Sequence, residues 1–279
     1  MKKSKKWTGE RLETNIYNET SIEHLHRYAL AIELSHNKKI LDIASGEGYG
    51  SNLLAKGASH VTGVDIDAGV IQVAIEKYKR QNLDFITGTV ENIPAADKQF
   101  DVVVSFETLE HITNHDRMIS EVKRVLRPDG LIIISTPNKK NYSDKHSYKN
   151  PFHLKELYPE EFGDLLKKYF KNVLVFSQQI ALSSVITIAD ANGLKIYKGD
   201  YDAIRTDNAE NPLYCIALAS DELLPEISNS LFNGESILAK ALSEKENMAT
   251  KTFTYKFGHT ILYPAKMLKR LFKKKKSQE

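Results

Sequence analysis

The sequence predicts an α/β fold with a doubly wound, mostly parallel sheet, and three observations support this prediction. Short apolar runs alternate with amphipathic segments between residues 38 and 135 of the 279-residue chain, as repeated strand and helix pairs do. Two of the runs, residues 102 to 104 and 131 to 134, are continuously aliphatic, which is typical of strands buried on both faces. A glycine-rich turn follows the first run, at Gly46, Gly48 and Gly50. Because ligands of such folds bind outside the carboxyl ends of the strands, that edge is where a site is expected.

The individual elements are predicted from the spacing of apolar residues. An amphipathic N-terminal helix is expected at residues 21 to 36, where Ile22, Leu25 and Ile32 fall on one face. Strands are predicted at residues 39–43, 60–64, 83–87, 100–105, 131–135, 173–178 and 213–219, the last as an antiparallel edge strand. Helices are predicted at residues 49–56, 68–81, 114–126 and 159–169. A turn is expected from Arg127 to Gly130, because proline and glycine interrupt the pattern there.

The second half of the chain contains a long loop and a helical extension. Residues 136 to 157 lack periodicity and begin at the carboxyl end of a predicted strand, which favours a functional loop. A helix is expected at residues 222 to 247, and a basic amphipathic helix follows Pro264. The predicted organisation is therefore an N-terminal segment, residues 1–20, a main domain, residues 21–220, and a basic helical C-terminal extension, residues 221–279.

Composition and charge limit the classes of protein to consider. Residues 251 to 279 carry nine basic residues against one glutamate, so the remainder of the chain is mildly acidic within a total of +3. An acidic body argues against a general nucleic-acid surface. Cys215 is the only cysteine, which excludes an internal disulfide or a cysteine metal cluster. With no apolar run of membrane-spanning length and no secretory signal, the expected location is the cytoplasm or the inner face of the membrane.

The glycine turn and the acid that follows the second strand indicate a cofactor site. The spacing of the glycines is G-x-G-x-G, whereas dinucleotide-binding turns have G-x-G-x-x-G, and no phosphate-binding P-loop pattern is present. Asp65 ends the second predicted strand, where a carboxylate can accept two hydrogen bonds from a ribose diol. NAD, FAD and S-adenosylmethionine all remain candidates on the glycine turn alone.

Several further motifs, taken in order, resemble those of the class I S-adenosylmethionine-dependent methyltransferases. The resemblance covers roughly residues 23 to 175. Its motifs are Leu41-Asp42-Ile43-Ala44-Ser45-Gly46-Glu47-Gly48-Tyr49-Gly50, Gly63-Val64-Asp65, Gly88-Thr89-Val90-Glu91-Asn92-Ile93-Pro94, Phe100-Asp101-Val102-Val103-Val104 and Leu126-Arg127-Pro128-Asp129-Gly130-Leu131. The resemblance implies S-adenosyl-L-methionine as the cofactor and an enzyme that transfers its methyl group.

The resemblance also implies which residues bind the cofactor. The glycine turn faces the methionine part, Asp65 binds the ribose, and residues 89 to 91 line the adenine. The residues implied are Arg27, Asp42, Ala44, Gly46, Gly48, Asp65, Ile66, Thr89, Val90, Glu91 and Phe106. Many members have aspartate where this chain has Thr89, so the chain departs there from the pattern in which an aspartate side chain bonds the adenine amino group. For Arg27 two interpretations stay open, a pair with the cofactor's carboxylate and a salt bridge on the helix surface.

Three shorter segments resemble a subgroup linked to bacterial surface-glycan synthesis. They are Glu23-His24-Leu25-His26-Arg27-Tyr28, Phe106-Glu107-Thr108-Leu109-Glu110-His111 and Asn150-Pro151-Phe152-His153. The resemblance implies a sugar hydroxyl as the acceptor, for which a general base would assist proton removal. His153 is the first candidate for that base and His111 the second, while Glu107 could bind the acceptor or the cofactor.

Alternative functions remain on the sequence alone. The chain could methylate a phenolic or quinone acceptor, or act as a non-catalytic scaffold that contacts a glycosyltransferase. Residues 252 to 276 are either a solvated tail or a contact with such a partner or a membrane surface. A nucleic-acid substrate is not expected, because its usual catalytic motifs are absent. No metal site is expected either: His111 and His115 have helical ligand spacing, but the glutamate of H-E-x-x-H and a third ligand are not evident.

Overall fold

The structure is a computed structural model that describes residues 12–181, 196–199, 203–207 and 211–252. The chain divides into two compact units. The larger unit comprises Met1–Asn15 and Thr20–Phe232, and the smaller comprises Ile16–Glu19 and Asn233–Glu279. The predicted basic helix after Pro264 lies outside the described residues, as does most of the N-terminal segment.

The larger unit is built on a seven-stranded sheet. Its strands are β1 (Lys39–Ile43), β2 (His60–Asp65), β3 (Leu83–Thr87), β4 (Phe100–Phe106), β5 (Leu126–Pro137), β6 (Asn172–Gln178) and β9 (Tyr214–Ser220). They lie in the order β3-β2-β1-β4-β5-β9-β6, and β3, β2, β1, β4 and β5 are mutually parallel. β9 is antiparallel to both β5 and β6. A separate two-stranded ladder joins β7 (Ile196–Gly199) to β8 (Ile204–Asp207).

Helices cover both faces of this sheet, as a doubly wound fold requires. These helices are α1 (Glu19–Leu34), α2 (Tyr49–Leu54), α3 (Ala68–Lys77), α4 (His115–Val125) and α5 (Pro159–Lys167). A further helix, α6 (Glu235–Lys251), belongs to the smaller unit. Alternate residues of β4 enter two separate apolar clusters: Val103 packs on the side of α4 and α5, whereas Val102 and Val104 pack on the side of α1 to α3. The predicted fold class is confirmed, because the continuous aliphatic strands are buried on both faces.

Three predictions about individual elements are wrong. The last strand is not at the edge, since β9 pairs on both sides and its residues from Cys215 to Ser220 are buried. Residues Arg127 to Gly130 do not separate α4 from a later strand; they form a bulge inside β5, because Leu126 already pairs with Phe100. The helix expected from residue 222 begins only at Glu235, after Asn233, whose side-chain oxygen accepts the Glu235 N–H at 2.9 Å.

The loop after β5 is also more ordered than its composition suggests. Residues Lys140–Asp144 form a short π-helical turn, and Asn138 bridges to Leu157 at the end of the loop. The backbone N–H groups of Leu154 and Lys155 donate to the Glu110 carbonyl at 2.8 and 3.1 Å. These bonds fix the loop beside the segment that follows β4. Among the described residues, no helix is long and apolar enough to cross a membrane.

Candidate active site

The glycine turn between β1 and α2 is fixed from below by Asp42. This carboxylate is 1% exposed and accepts hydrogen bonds from Ser51 Oγ at 2.6 Å and from Tyr28 OH at 3.2 Å. Burial raises the pKa of Asp42 to about 7, even though the bonds from Ser51 and Tyr28 favour the charged form. Asp42 of β1 therefore lies on the buried side of the turn, where its hydrogen bonds connect β1 to Tyr28 of α1 and to Ser51 of α2.

Two glycines of the turn serve different purposes. Gly48 has a φ of 79°, and a Cβ added there would come within 2.5 Å of the Phe85 ring, so its conformation and its packing both require glycine. Gly46 has a φ of 55°, yet a Cβ added there would meet no protein atom within 4 Å. The neighbouring Ala44 is exposed and also has a positive φ, of 61°. The turn is therefore packed on the Gly48 side and open on the Gly46 side.

Asp65, at the carboxyl end of β2, is oriented by the glycine turn. One carboxylate oxygen accepts the Gly46 N–H at 2.9 Å, and the other accepts the Asp67 N–H at 3.0 Å. Asp65 is 5% exposed, whereas its neighbour Ile66 is 70% exposed. An acid held by two backbone donors therefore lies next to an apolar side chain that the described protein leaves uncovered.

Residues 89 to 91 follow β3 and are held from outside by α4. The Thr89 hydroxyl accepts the Asn92 N–H at 3.1 Å, and Arg117 Nε donates to the Glu91 carbonyl at 2.8 Å. Further along, Glu121 accepts the Ile93 N–H at 3.0 Å, and Arg124 donates to the Ile93 carbonyl at 3.0 Å. The charged residues of α4 thus set the path of this segment, a role that the sequence did not reveal.

Arg27 of α1 lies at the centre of a buried polar group. It is 1% exposed, and its Nη1 lies 2.7 Å from Glu107 Oε1 and 3.1 Å from Ser135 Oγ. Its guanidinium also lies 4.7 Å above the Tyr214 ring. The interpretation as a salt bridge on the helix surface is therefore wrong, because Arg27 is buried and its partner Glu107 is only partly exposed. Within the described part of the chain, Nε and Nη2 of Arg27 have no hydrogen-bond partner.

Glu107 and Phe106 end β4 beside Arg27. Glu107 has a positive φ of 52°, an uncommon conformation for this residue that is often found at functional sites. Its carboxylate accepts the Ser135 hydroxyl at 2.6 Å. Phe106 is 8% exposed and packs edge to face against Tyr28 with a centroid distance of 5.1 Å. The strand end is thus joined to α1 through both a charged and an aromatic contact.

The two predicted catalytic histidines lie together with a buried acid. The rings of His111 and His153 are 5.1 Å apart and nearly perpendicular. His111 Nε2 lies 3.8 Å from Glu110 Oε1, and Glu110 is 1% exposed. Burial and the nearby Glu107 raise the pKa of the Glu110 carboxyl well above its usual range. His115 does not join this group, since its Nε2 contacts the Ile112 carbonyl at 3.1 Å.

His153 is held through both ring nitrogens. Its Nδ1 lies 2.5 Å from Glu156 Oε1, and its Nε2 lies 3.0 Å from Asn150 Nδ2. The Asn150 amide is oriented by its oxygen, which accepts the Phe152 N–H at 3.0 Å, so its nitrogen faces His153. The ring of His153 also stacks on Tyr142 at 5.3 Å. In this arrangement His153 Nε2 must lose the Asn150 bond before it can accept a proton.

The predicted residues fall into two groups along the carboxyl edge of the sheet. The glycine turn, Asp65, Ile66 and residues 89 to 91 follow β1, β2 and β3, whereas His111 and His153 follow β4 and β5. Arg27 contacts the ends of β4 and β5 rather than the glycine turn. Several polar residues of these groups were not predicted as site residues: Ser51, Ser135, Asn150, Glu156 and Tyr214. Ser135 and Tyr214 contact Arg27 from a distant part of the chain, whereas Asn150 and Glu156 lie only three residues from His153 and show their role only once the loop has folded.

Comparisons with known proteins show sequence similarity to methyltransferases. Residues 41–134 match the sequence model of a family described as a methyltransferase domain. The chain is 37% identical over 131 residues, 47% of its length, to a protein of Mycolicibacterium smegmatis named a probable S-adenosylmethionine-dependent methyltransferase. It is 34% identical over 118 residues, 42% of its length, to phthiotriol/phenolphthiotriol dimycocerosates methyltransferase 1 of Mycobacterium ulcerans. The chain spans 50% and 43% of the lengths of these two relatives.

A solved structure shows the same fold. The YcgJ protein of Bacillus subtilis superposes with a TM-score of 0.51 at 18% identity, covering 71% of this chain and all of that one. The predicted methyltransferase fold is therefore confirmed. The predictions of a methyltransferase-type enzyme and of S-adenosylmethionine as its cofactor are supported by the matched domain and relatives.

Proposed function

We propose that this protein is an S-adenosylmethionine-dependent methyltransferase that methylates a hydroxyl group, and that the acceptor is a sugar of a glycan precursor. One observation carries the proposal. β1, β2, β3, β4 and β5 are parallel, so the glycine turn, Asp65 and the Glu110, His111 and His153 group all follow strand ends on one edge of the sheet. A donor site and an acceptor site then share that edge.

The residues on the donor side fit S-adenosylmethionine. The open face at Gly46 admits a ligand against the backbone, and the exposed Ile66 beside Asp65 suits an adenine ring next to a bound ribose. The buried hydroxyl of Ser45 has no partner within the described residues, and neither do Nε and Nη2 of Arg27, which belongs to the acceptor side and borders the donor side. Unpaired buried donors are costly, so a polar group such as the cofactor's methionine moiety would compensate them.

The chemistry divides between the cofactor and the chain. When bound, S-adenosylmethionine supplies a methyl group that its sulfonium centre already activates. The chain orients the two reactants: Asp65 and the glycine turn hold the donor, and the residues after β4 and β5 hold the acceptor. Alignment of this kind lowers the barrier by removing the entropy loss of bringing the reactants together. Arg27, bound to Glu107, fixes the boundary between the two sides.

The polarity of the acceptor side favours a sugar. Glu110, His111 and His153 can bind hydroxyl groups, and the ring of Tyr148, 50% exposed, offers an apolar face. Aromatic rings beside polar side chains suit an acceptor that presents both C–H and O–H groups. A second candidate is a hydroxyl of a phenolic or lipid compound, favoured by the name of the Mycobacterium ulcerans relative and by the exposed Leu154.

Calorimetric titration tests the donor half of the proposal. S-adenosylmethionine should bind and NAD should not, and Asp65→Ala should weaken S-adenosylmethionine binding at least about 10-fold, because charge-assisted hydrogen bonds are lost. Asp84→Ala is the matched control, since Asp84 is an exposed acid of the neighbouring strand whose one ion pair within the described ranges is with His60. Binding of NAD instead, or unchanged binding in Asp65→Ala, would refute the assignment. If Asp65→Ala abolished binding but left function in cells intact, the scaffold alternative would be favoured.

A methyl-transfer assay tests the acceptor. Purified protein, labelled S-adenosylmethionine and panels of nucleotide-linked sugars, lipid-linked sugars and phenolic lipids should give label in a sugar fraction. Alkaline treatment should leave the label in place, because a methyl ether is stable where a methyl ester is not. Label in the phenolic or lipid panel alone would reject the sugar and retain the methyltransferase.

A further inference from the structure

We propose that Glu110, His111 and His153 form a binding site for a divalent transition-metal cation, which positions the acceptor hydroxyl. The inference rests on the proposed function for its role, but not for its existence. Each of the three residues offers one ligand atom, and these atoms lie within 4.8 Å of one another. Two imidazoles and one carboxylate are a known donor set for zinc and non-haem iron, with positions left open for a substrate.

The three ligands come from two separate segments that the fold brings together. Glu110 and His111 lie in the short helical turn after β4, whereas His153 belongs to the loop after β5. The Leu154 and Lys155 N–H groups donate to the Glu110 carbonyl, so the loop is attached to the turn by its backbone. The Thr136 hydroxyl further orients Glu110, donating to Oε2 at 3.1 Å. The cluster is therefore held by bonds outside the ligand atoms themselves.

Both histidines have the outer partners that a ligand histidine needs. His111 Nδ1 lies 3.0 Å from the Phe152 carbonyl, which can only accept, so this nitrogen carries the hydrogen and Nε2 presents its lone pair. His153 Nδ1 faces the Glu156 carboxylate, so its lone pair likewise lies on Nε2. Metal-bound histidines usually donate their second N–H to a carbonyl or a carboxylate, which sets the tautomer and strengthens the ligand.

The charge of the cluster also favours a cation. Glu110 is 1% exposed, and its single ion pair among the described residues is the contact with His111 at 3.8 Å. Burial and Glu107 disfavour the charge of Glu110 more than Arg27 favours it, and a buried carboxylate with so little compensation is unfavourable. A divalent ion at this position would compensate it. Ligand bonds of about 2.0–2.2 Å require ligand atoms closer than 4.8 Å, so binding would draw the three side chains inward by roughly 1 Å.

Asn150 distinguishes a metal site from a hydrogen-bonded network. Its Nδ2 donates to the lone pair of His153 Nε2, which is the atom that a cation would use. A cation must replace that bond, so Asn150 competes with it. Asn150→Asp retains the oxygen that accepts the Phe152 N–H and exchanges the competing donor for a further oxygen. This variant should therefore tighten cation binding, whereas in a metal-free network it would only disrupt His153.

The role of the cation follows from its open positions. An acceptor hydroxyl bound there becomes more acidic, as water does on zinc. During transfer its oxygen forms the bond to the methyl carbon, the bond from that carbon to sulfur breaks with the electron pair staying on sulfur, and the hydroxyl proton passes to solvent water. Two open positions would accommodate an acceptor with neighbouring hydroxyl groups, which is the class of substrate we expect.

Direct cation binding to the full chain tests the proposal. After treatment with a chelator and dialysis, the protein should bind close to one equivalent of Zn²⁺ or Mn²⁺ and bind Mg²⁺ more weakly, because imidazole ligands favour the former. Glu156→Gln removes the carboxylate that orients His153 and should weaken Zn²⁺ binding about 10-fold or more. Removal of a ligand itself, in His111→Ala, His153→Ala or Glu110→Gln, should weaken Zn²⁺ binding further. Asn150→Asp should strengthen it. His60→Asn, outside the cluster, should leave it unchanged.

The outcomes separate this proposal from the proposed function. The cation site is overturned if no saturable binding near one equivalent is found. It is also overturned if His111→Ala and His153→Ala both bind the cation as tightly as the unaltered protein does. S-adenosylmethionine binding, measured on chelator-treated protein, should be unchanged, since Asp65 and the glycine turn hold no cation ligand. Cation binding without any S-adenosylmethionine binding would retain the site and reject the methyltransferase. Methyl transfer that persists unchanged in chelator would reject the catalytic role assigned to the cation.

Discussion

The donor side and the acceptor side of the active site are built from contacts of different range. On the donor side, Asp42 reaches Ser51 nine residues away and Asp65 reaches the Gly46 N–H nineteen residues away. On the acceptor side, Arg27 reaches Ser135 across 108 residues, and His111 reaches Phe152 across 41. The first side is a set of tight turns with fixed backbone geometry, and the second is a network of side chains.

Because of this difference, substitutions should disrupt the structure of the two sides by different mechanisms. A turn fails when its backbone cannot adopt the required conformation or when a side chain fills its packed face. A buried polar network fails when one partner is removed and another is left without compensation. Substitutions can therefore break either side by its own mechanism, and their effects on donor and acceptor binding should separate.

The largest expected effect comes from breaking the buried pair on the acceptor side. Arg27→Met leaves Glu107 without its cation and should lower the free energy of unfolding by about 3–5 kcal/mol. Urea unfolding would measure this change. Arg127→Met is the control, because Arg127 pairs with Asp101 at an exposed position, where about 1 kcal/mol or less is expected. Equal losses in the two variants would contradict the buried pair's assigned role.

The second effect is a pH dependence from Asp42 on the donor side. Its pKa is about 7 when folded, against 3.8 as its ordinary value, so the folded protein binds the extra proton between these pH values. This contribution to stability should therefore fall as pH rises from about 4 to about 7 and level off above, by at most roughly 4 kcal/mol. Asp42→Asn should remove it, as urea unfolding across this range can measure. Identical slopes in the two proteins would refute the shift.

The third effect separates packing from ligand access within the glycine turn. A Cβ added at Gly50 would lie 1.9 Å from Tyr28 Cζ, and that ring is held by its bond to Asp42, so Gly50→Ala should cost about 1–3 kcal/mol of stability. Gly46→Ala should cost only about 1 kcal/mol, because the space is open and only the positive φ is strained.

S-adenosylmethionine binding provides the second measurement on these two variants. Gly46→Ala should weaken S-adenosylmethionine binding several-fold although it costs little stability, since the added alanine Cβ would occupy the open face of the turn. If Gly46→Ala binds S-adenosylmethionine as the unaltered protein does, the cofactor does not approach that face.

The smallest expected effect concerns aromatic stacking on the acceptor side. Tyr142→Leu removes the ring that stacks on His153 but keeps an apolar side chain, and aromatic pairs contribute about 0.5–1.5 kcal/mol. The KM for the acceptor should rise about 2- to 10-fold. Donor affinity should stay the same, because the ring of Tyr142 stacks on His153, on the acceptor side. A change in donor affinity alone would contradict the division into two sides.

Much of the fold was predictable because its signals are local. β1 and β3 have the predicted bounds, since each is a short apolar run closed by polar or turn residues. The position of β9 was not predictable from its own residues, because an apolar strand can pair on one side or on two. The bulge at Arg127 to Gly130 resembled a turn for a similar reason: proline and glycine interrupt a strand as readily as they end it.

The sequence by itself determined the order of strands and helices, the glycine turn and the acid after β2, because these depend on residues close together in the chain. Only the tertiary structure decided that Arg27 is buried against Glu107, and that the side chains of Glu110, His111 and His153 lie close together. His111 and His115 have the spacing of two ligands, yet the fold turns His115 towards the Ile112 carbonyl and brings His153 to His111 instead. Spacing within one segment defines only which side chains can be neighbours, whereas packing between segments defines which ones are.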